Sequence, residues 1–182
     1  MSVVEQQTVI PAGVYAADPT HSSVEFSIRH MGLATVRGRA TDFSGTLDAS
    51  GETPVLEGTI ETAGITTYDE QRDGHLGSPD FFDAERHPRI SFRSTALDLE
   101  GDHGTLTGEL TIKGNSKPVQ LAVVVTGAGE DPWGNQRVGI DLDGVIDRRE
   151  FGIDWNAPLP GGGLLLDDDV RLTASFSLVK QG

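Results

Sequence analysis

Apolar residues recur at every second position through many short segments of this chain, and 23 glycines and 9 prolines punctuate those segments. Neighbouring side chains on a strand point to opposite faces, so a chain patterned in this way folds into strands that bury one face and expose the other. Over 22–30, Val24, Phe26 and Ile28 share one face while Ser23, Glu25, Ser27 and Arg29 share the other. Leu106, Leu110 and Ile112 stand against Thr105, Thr107, Glu109, Thr111 and Lys113, and Val138, Ile140 and Leu142 stand against Asp141 and Asp143. Over 170–179 the alternation runs without a break, with Val170, Leu172, Ala174, Phe176 and Leu178 inward. Further strands are read at 13–17, 39–48, 54–62, 89–99 and 118–126, with turn chemistry at 101–104 and 114–117 where positive φ is needed. No repeat and no low-complexity linker interrupts this pattern. The expected fold class is therefore all-β, one domain over 13–182 whose sheet closes on itself, after an N-terminal extension at 1–12.

One segment departs from the pattern. Over 68–82 the spacing suits one or two short helices crossing a barrel end, with Ser78 as N-cap and Pro79 at the first helical position. The stretch 156–163 reads as a loop and 167–169 as a solvated charge run.

With 182 residues the chain can bury one sizeable core. Its net charge of −14 repels phosphate backbones and anionic surfaces at long range, so nucleic acid is excluded as a partner. The absence of cysteine removes disulfides, thiolate metal sites and cysteine nucleophiles. The first residues carry no basic start, long apolar run or cleavage site, and nowhere do about eighteen apolar residues run together, so the chain reads as cytoplasmic with no integral membrane span.

Metal sites without cysteine draw on histidine and carboxylates. His21 and His30 are an odd number of positions apart and face opposite sides of one unbulged strand, His75 and His87 are separated by a loop, and His103 sits in a turn. None has ligand spacing, so no metal is assigned. Arg72 and His75, three apart on a helix, present donors to a polar ligand group, or else Arg72 and Asp73 anchor the crossover through backbone hydrogen bonds. An inward Phe151 beside a salt bridge between Asp147 and Arg148 would close a barrel end, or act as a gate. Asp141 and Asp143 alternate with an apolar face, so they should be exposed and lack raised pKa values. There is no G-x-S-x-G elbow, 114–117 is too short for a phosphate loop, and Asp18, His21 and Ser22 lie side by side on a turn, unsuited to a relay.

Longer motifs run in a recognisable order. Tyr15-x-x-Asp18-x-x-His21-Ser22 leads into Val24, Phe26, Ile28 and His30; Arg72-Asp73-x-His75-Leu76 precedes Pro79-Asp80-Phe81-Phe82-Asp83; and Pro88, Ile90, Phe92 and Ser94 alternate. Gly104-x-Leu106-Thr107-Gly108-x-Leu110-Thr111-Ile112-Lys113-Gly114 follows, and Asp147-Arg148-x-x-Phe151-Gly152 closes the series. In this order the chain resembles the YceI-like, lipocalin-like polyisoprenoid-binding proteins over nearly its whole length. It departs from them in lacking the export signal that many members carry, and in having His87 before Pro88 where the family often has an aromatic.

The resemblance implies an eight-stranded antiparallel lipocalin-like β-barrel, with one or two short crossover helices, around an apolar tunnel. Its wall is expected to draw on Phe26, Ile28, Phe43, Ile60, Phe92, Leu110, Ile140 and Phe176, with Phe81 and Phe82 near one end. Gly58 and Gly108 at inward positions would remove volume from the interior. Arg72 and His75, then His21 and His30, are the candidates for a polar head group. The expected function is to bind, sequester or carry a long-chain lipophilic ligand (a polyisoprenoid, an isoprenoid quinone or a fatty amphiphile) without catalysis or any other cofactor, with a homodimer as a candidate assembly. The alternative is an enzyme acting on a lipophilic substrate, with His75 or His21 as acid-base group. A third reading is a ligand-free stress or interaction protein.

Overall fold

The computed structural model describes residues 9–182, so most of the extension read at 1–12 lies outside the described residues. Its strands are β1 (Val14–Ala17), β2 (Ser23–His30), β3 (Ala34–Ala40), β4 (Phe43–Asp48), β5 (Val55–Glu61), β6 (Ile65–Thr66), β7 (Arg89–Glu100), β8 (His103–Ile112), β9 (Asn115–Glu130), β10 (Gln136–Asp147) and β11 (Asp169–Lys180). Hydrogen bonding orders them β1-β4-β5-β7-β8-β9-β10-β11-β2-β3-β6, and β1 also pairs with β11. Since β1 and β2 both lie along β11, and β4 and β3 lie along β1 and β2, each of these consecutive pairs is one bent stave. β5 and β6 form a third, against β4 and β3. Among the described residues the result is a closed antiparallel barrel of 8 staves with one α-helix.

The bends were only partly legible in the alternation. The single strand read at 39–48 is two: β3 ends at Ala40, where Thr41 donates to the Gly64 carbonyl from both its N–H (2.9 Å) and its hydroxyl (2.6 Å), and β4 starts at Phe43. At the bend between β1 and β2, the buried Ser22 hydroxyl oxygen accepts from the Ser177 N–H at 3.0 Å. Ser94 does the same at a bulge in β7, accepting from the Leu56 N–H at 2.8 Å. In each case a side chain replaces a lost rung of the ladder, because a buried backbone group without a partner is costly.

The two turns are tighter than read. Ile112 pairs with Asn115 across Lys113 (φ 52°) and Gly114 (φ 76°), a two-residue turn of the kind that matches strand twist, so residues 115–117 begin β9. The crossover holds one helix, α1 (Glu70–Leu76), whose N-cap is Asp69: its carboxylate accepts from the Arg72 N–H at 2.8 Å. Ser78 instead follows the helix, its hydroxyl donating to the His75 carbonyl at 2.6 Å, and no second helix starts at Pro79. Among the described residues no helix is long and apolar enough to cross a membrane.

Two apolar clusters occupy the interior. Tyr15, Leu47, Leu106, Val125, Val138 and Leu178 pack at one end, joined by Ile10 from the segment before β1. Phe81, Ile90, Leu110, Ile112, Ile146, Phe151 and Ile153 lie toward the other end, beneath α1 and the loop that follows β10.

Candidate functional site

A barrel of this size can be filled by its own side chains or hold a ligand. Here one end is filled and the remainder encloses a cavity of about 360 Å³, within the range of small-molecule sites. Nine of the ten side chains expected in the tunnel wall line it: Phe26, Ile28, Phe43, Ile60, Phe81, Phe82, Phe92, Leu110 and Phe176. Ile140 does not. It is buried in the packed cluster, opposite Phe176 and Val125, while Leu142 and Ile146 further along β10 reach the cavity. Alternation fixes which face a residue takes but not how far along the barrel axis it sits.

Glycines shape the wall in two ways. A Cβ on Gly38 would lie 2.2 Å from the Phe26 ring, and one on Gly108 would lie 2.4 Å from the Phe92 ring. Both rings therefore rest on the glycines of a neighbouring stave and are drawn against the wall. Gly58 lines the cavity itself, and a Cβ there would meet only the Ser44 carbonyl at 3.3 Å. Gly58 thus leaves the lumen open directly, whereas Gly108 does so through Phe92, whose ring takes the place of its missing side chain against the wall.

The cavity reaches the surface beside α1, where the exposed Arg72 forms part of its lining together with His30 and His75. Arg72 donates from Nε to the Thr67 hydroxyl and from Nη2 to the Thr67 carbonyl, both at 2.8 Å. Asp73 accepts from the Thr67 hydroxyl (2.6 Å), the Thr66 hydroxyl (2.7 Å) and the Thr67 N–H (2.7 Å), and against the desolvation of the site these bonds hold its carboxyl below the usual range. The crossover is therefore anchored by both residues, and Arg72 Nη1 makes no hydrogen bond among the described residues. His75 packs edge-on against Phe81 (4.9 Å) and Trp155 (4.8 Å), with Nε2 2.9 Å from Asp80 Oδ2.

His21 lies elsewhere. Its side chain is 70% exposed on the outer surface, 2.8 Å from Asp18, and takes no part in the cavity. Arg137 bridges Asp18 (3.0 Å) and Asp131 (2.8 Å) in the same region. Hydrogen bonds from Thr20, His21 and Arg137 hold the Asp18 carboxyl well below the carboxylate range, and Arg137 does the same to Asp131. Ser22 serves the β11 backbone, so Asp18, His21 and Ser22 form no relay.

Arg148 and Trp155 were not read as cavity residues. The salt bridge expected between Asp147 and Arg148 is made by Arg149, at 2.8 Å. Arg148 is buried and lines the cavity end, donating to the carbonyls of Ile153, Trp155 and Asp167 at 2.9 Å each. Burial lowers its pKa, opposed by the carboxylates of Asp168 and Asp147. These bonds draw the loop after Phe151 across the barrel, and Phe151 itself is fully buried beneath it. Continuing the alternation from Leu142 through Ile146 would have turned Arg148 inward; no such signal marked Trp155, which sits on a loop. Asp141 is exposed, and Asp143 is half-buried in a pair with Arg171 that lowers its pKa.

Comparison with known proteins agrees with this architecture. The family described as the YceI-like domain matches residues 15–178. Protein YceI of Escherichia coli O157:H7 is 37% identical over 136 residues, spanning 73% of this chain and 71% of that protein. The crystal structure of Burkholderia cenocepacia BcnA superposes with a TM-score of 0.75 at 24% identity, covering 91% of this chain and 99% of that one. A polyisoprenoid binding domain from Saccharophagus degradans, implicated in plant cell wall breakdown, superposes with a TM-score of 0.68 at 13% identity, covering 92% and 98%.

Proposed function

The chain belongs to the YceI-like domain family, and on that premise we propose that it binds a long-chain lipophilic ligand, a polyisoprenoid, an isoprenoid quinone or a similar amphiphile, and sequesters or carries it without chemical change. The observation that carries this reading is the cavity of about 360 Å³ walled by phenylalanine and branched aliphatic side chains inside a closed barrel. A relative in fold is described as a polyisoprenoid binding domain, which agrees with a ligand of that class. At about 0.8 kcal/mol per buried methylene, ten or more carbons supply micromolar affinity or better after the costs of association. With so few polar groups in the wall, selection is by length and shape.

The polar end of such a ligand belongs at the mouth, since burying it unpaired costs about 1 to 3 kcal/mol. Arg72, through its free Nη1, is the donor assigned to it, with His75 and His30 the other polar groups of the lining there. The enzyme reading has less support: His21 is outside the cavity, and the His75 ring is held between Phe81 and Trp155 with Asp80 on its Nε2. Native mass spectrometry of the purified chain, followed by organic extraction, tests the proposal. A co-purifying lipid, or uptake of one added prenol per chain, is expected; a chain that neither carries nor takes up any lipophile overturns it.

A further inference from the structure

Around the mouth of the cavity stand side chains that a water-facing surface does not require. Leu33 is 77% exposed, Tyr68 75%, Leu164 57% and Met31 43%. They share one end of the barrel. Met31 and Leu33 form the turn between β2 and β3, the Met31 N–H donates to the Leu165 carbonyl at 2.7 Å, and Tyr68 follows the cavity-lining Thr67. Met31 (φ 56°) and Tyr68 (φ 63°) both hold left-handed backbone, where glycine or asparagine costs least. A bulky apolar side chain sits at both positions in spite of that cost.

The β2–β3 hairpin inverts the charge of the chain, while Asp69 and Glu70 follow Tyr68 and the Asp167 N–H donates to the Arg29 carbonyl at 3.3 Å. Between Glu25 and Asp42 there are three arginines, Arg29, Arg37 and Arg39, and no carboxylate, in a chain whose net charge is −14. Facing outward on β2 and β3, Arg29 lies opposite Thr35 and Arg37 opposite Ser27. Among the described residues none of these three arginines, nor Arg72, forms an ion pair, whereas Arg137, Arg149 and Arg171 all do. On the hairpin, Met31 and Leu33 beside arginines without ion pairs match an anionic bilayer: the former enter the boundary between headgroups and acyl chains, and the guanidinium groups meet the phosphates. The acidic remainder of the chain is repelled by the same surface, which orients the mouth toward it.

We propose that the β2–β3 turn, with Leu164 and Tyr68, is a docking surface for an anionic phospholipid bilayer that presents the cavity mouth to the membrane. This goes beyond the ligand-binding reading, and adsorption does not need an occupied cavity. The test is co-flotation of the full chain with vesicles of phosphatidylglycerol and phosphatidylcholine in equal parts, against phosphatidylcholine alone. Binding to the anionic vesicles is expected to be at least tenfold tighter and to weaken with salt. The double variant Met31→Ser, Leu33→Asp should bind them at least tenfold more weakly, and Arg37→Glu at least fivefold more weakly, both with unchanged melting temperature. Leu172→Trp, which fills the cavity, should lose prenol uptake yet float with the vesicles as the wild type does, so failure of docking and failure of ligand binding are read separately. Absence of binding to anionic vesicles, equal binding to both vesicle types, or full binding by the turn variants overturns the proposal.

Discussion

The two ends of this barrel are made from the same long strands in the same alternation, yet one is solid and the other hollow. At the solid end Tyr15 and Leu178 are 1% and 0% exposed, and the Tyr15 hydroxyl donates to the Pro11 carbonyl at 2.8 Å. At the hollow end Phe26 and Phe92 rest on Gly38 and Gly108, and α1 and the loop held by Arg148 cover the lumen without filling it. Apolar content alone does not make a cavity; it arises where large rings find glycines to lie on and where the covering elements are tethered at the rim. Packing that stabilises the fold is thereby separated from the surface offered to a ligand.

Truncation separates the ends most sharply. Leu178→Ala should cost about 3 to 5 kcal/mol in chemical denaturation, because its tightly packed surroundings cannot collapse onto the gap. Leu172→Ala on the cavity wall, in the same strand, should cost less than about 2 kcal/mol, since that side chain already borders open space. Equal costs would mean that the lumen is packed throughout. In the other direction, Leu172→Trp is expected to lower prenol affinity tenfold or more in a fluorescence displacement titration, with little change in melting temperature.

Arg72→Met divides the mouth from the wall. It should weaken an amphiphile with an anionic head about tenfold and leave a bare hydrocarbon chain nearly unaffected. Equal weakening of both, with a lowered melting temperature, would assign Arg72 to its bonds with Thr67 alone. The smallest effect is expected from acid. Asp18 and Asp131 have folded-state pKa values lowered below the unfolded value of about 3.9, so the stability they contribute is complete above about pH 4 and is lost as pH falls through their folded-state values. Arg137→Met should flatten the pH dependence of the melting temperature below pH 4 without altering ligand uptake, because the cluster lies outside the cavity.

Much of the cavity wall was legible because period two is a local property: Phe26, Ile60, Phe92 and Phe176 face inward for the reason the alternation states. The family resemblance supplied the count of staves and the tunnel. Ile140 was misplaced because height along the barrel depends on the stagger of all the strands together. Arg148 was missed because a guanidinium is read as a surface group until three carbonyls are seen to converge on it.

The sequence by itself determined the all-β class, the inward face of the strands and a helical crossover within residues 68–82, since backbone sterics and side-chain alternation act over a few residues. Tertiary structure alone decided which end is filled, which glycine receives a ring and which opens the lumen, where His21 lies and which arginine partners Asp147. Each of these depends on segments far apart in the chain meeting at one place, and no local pattern records that meeting.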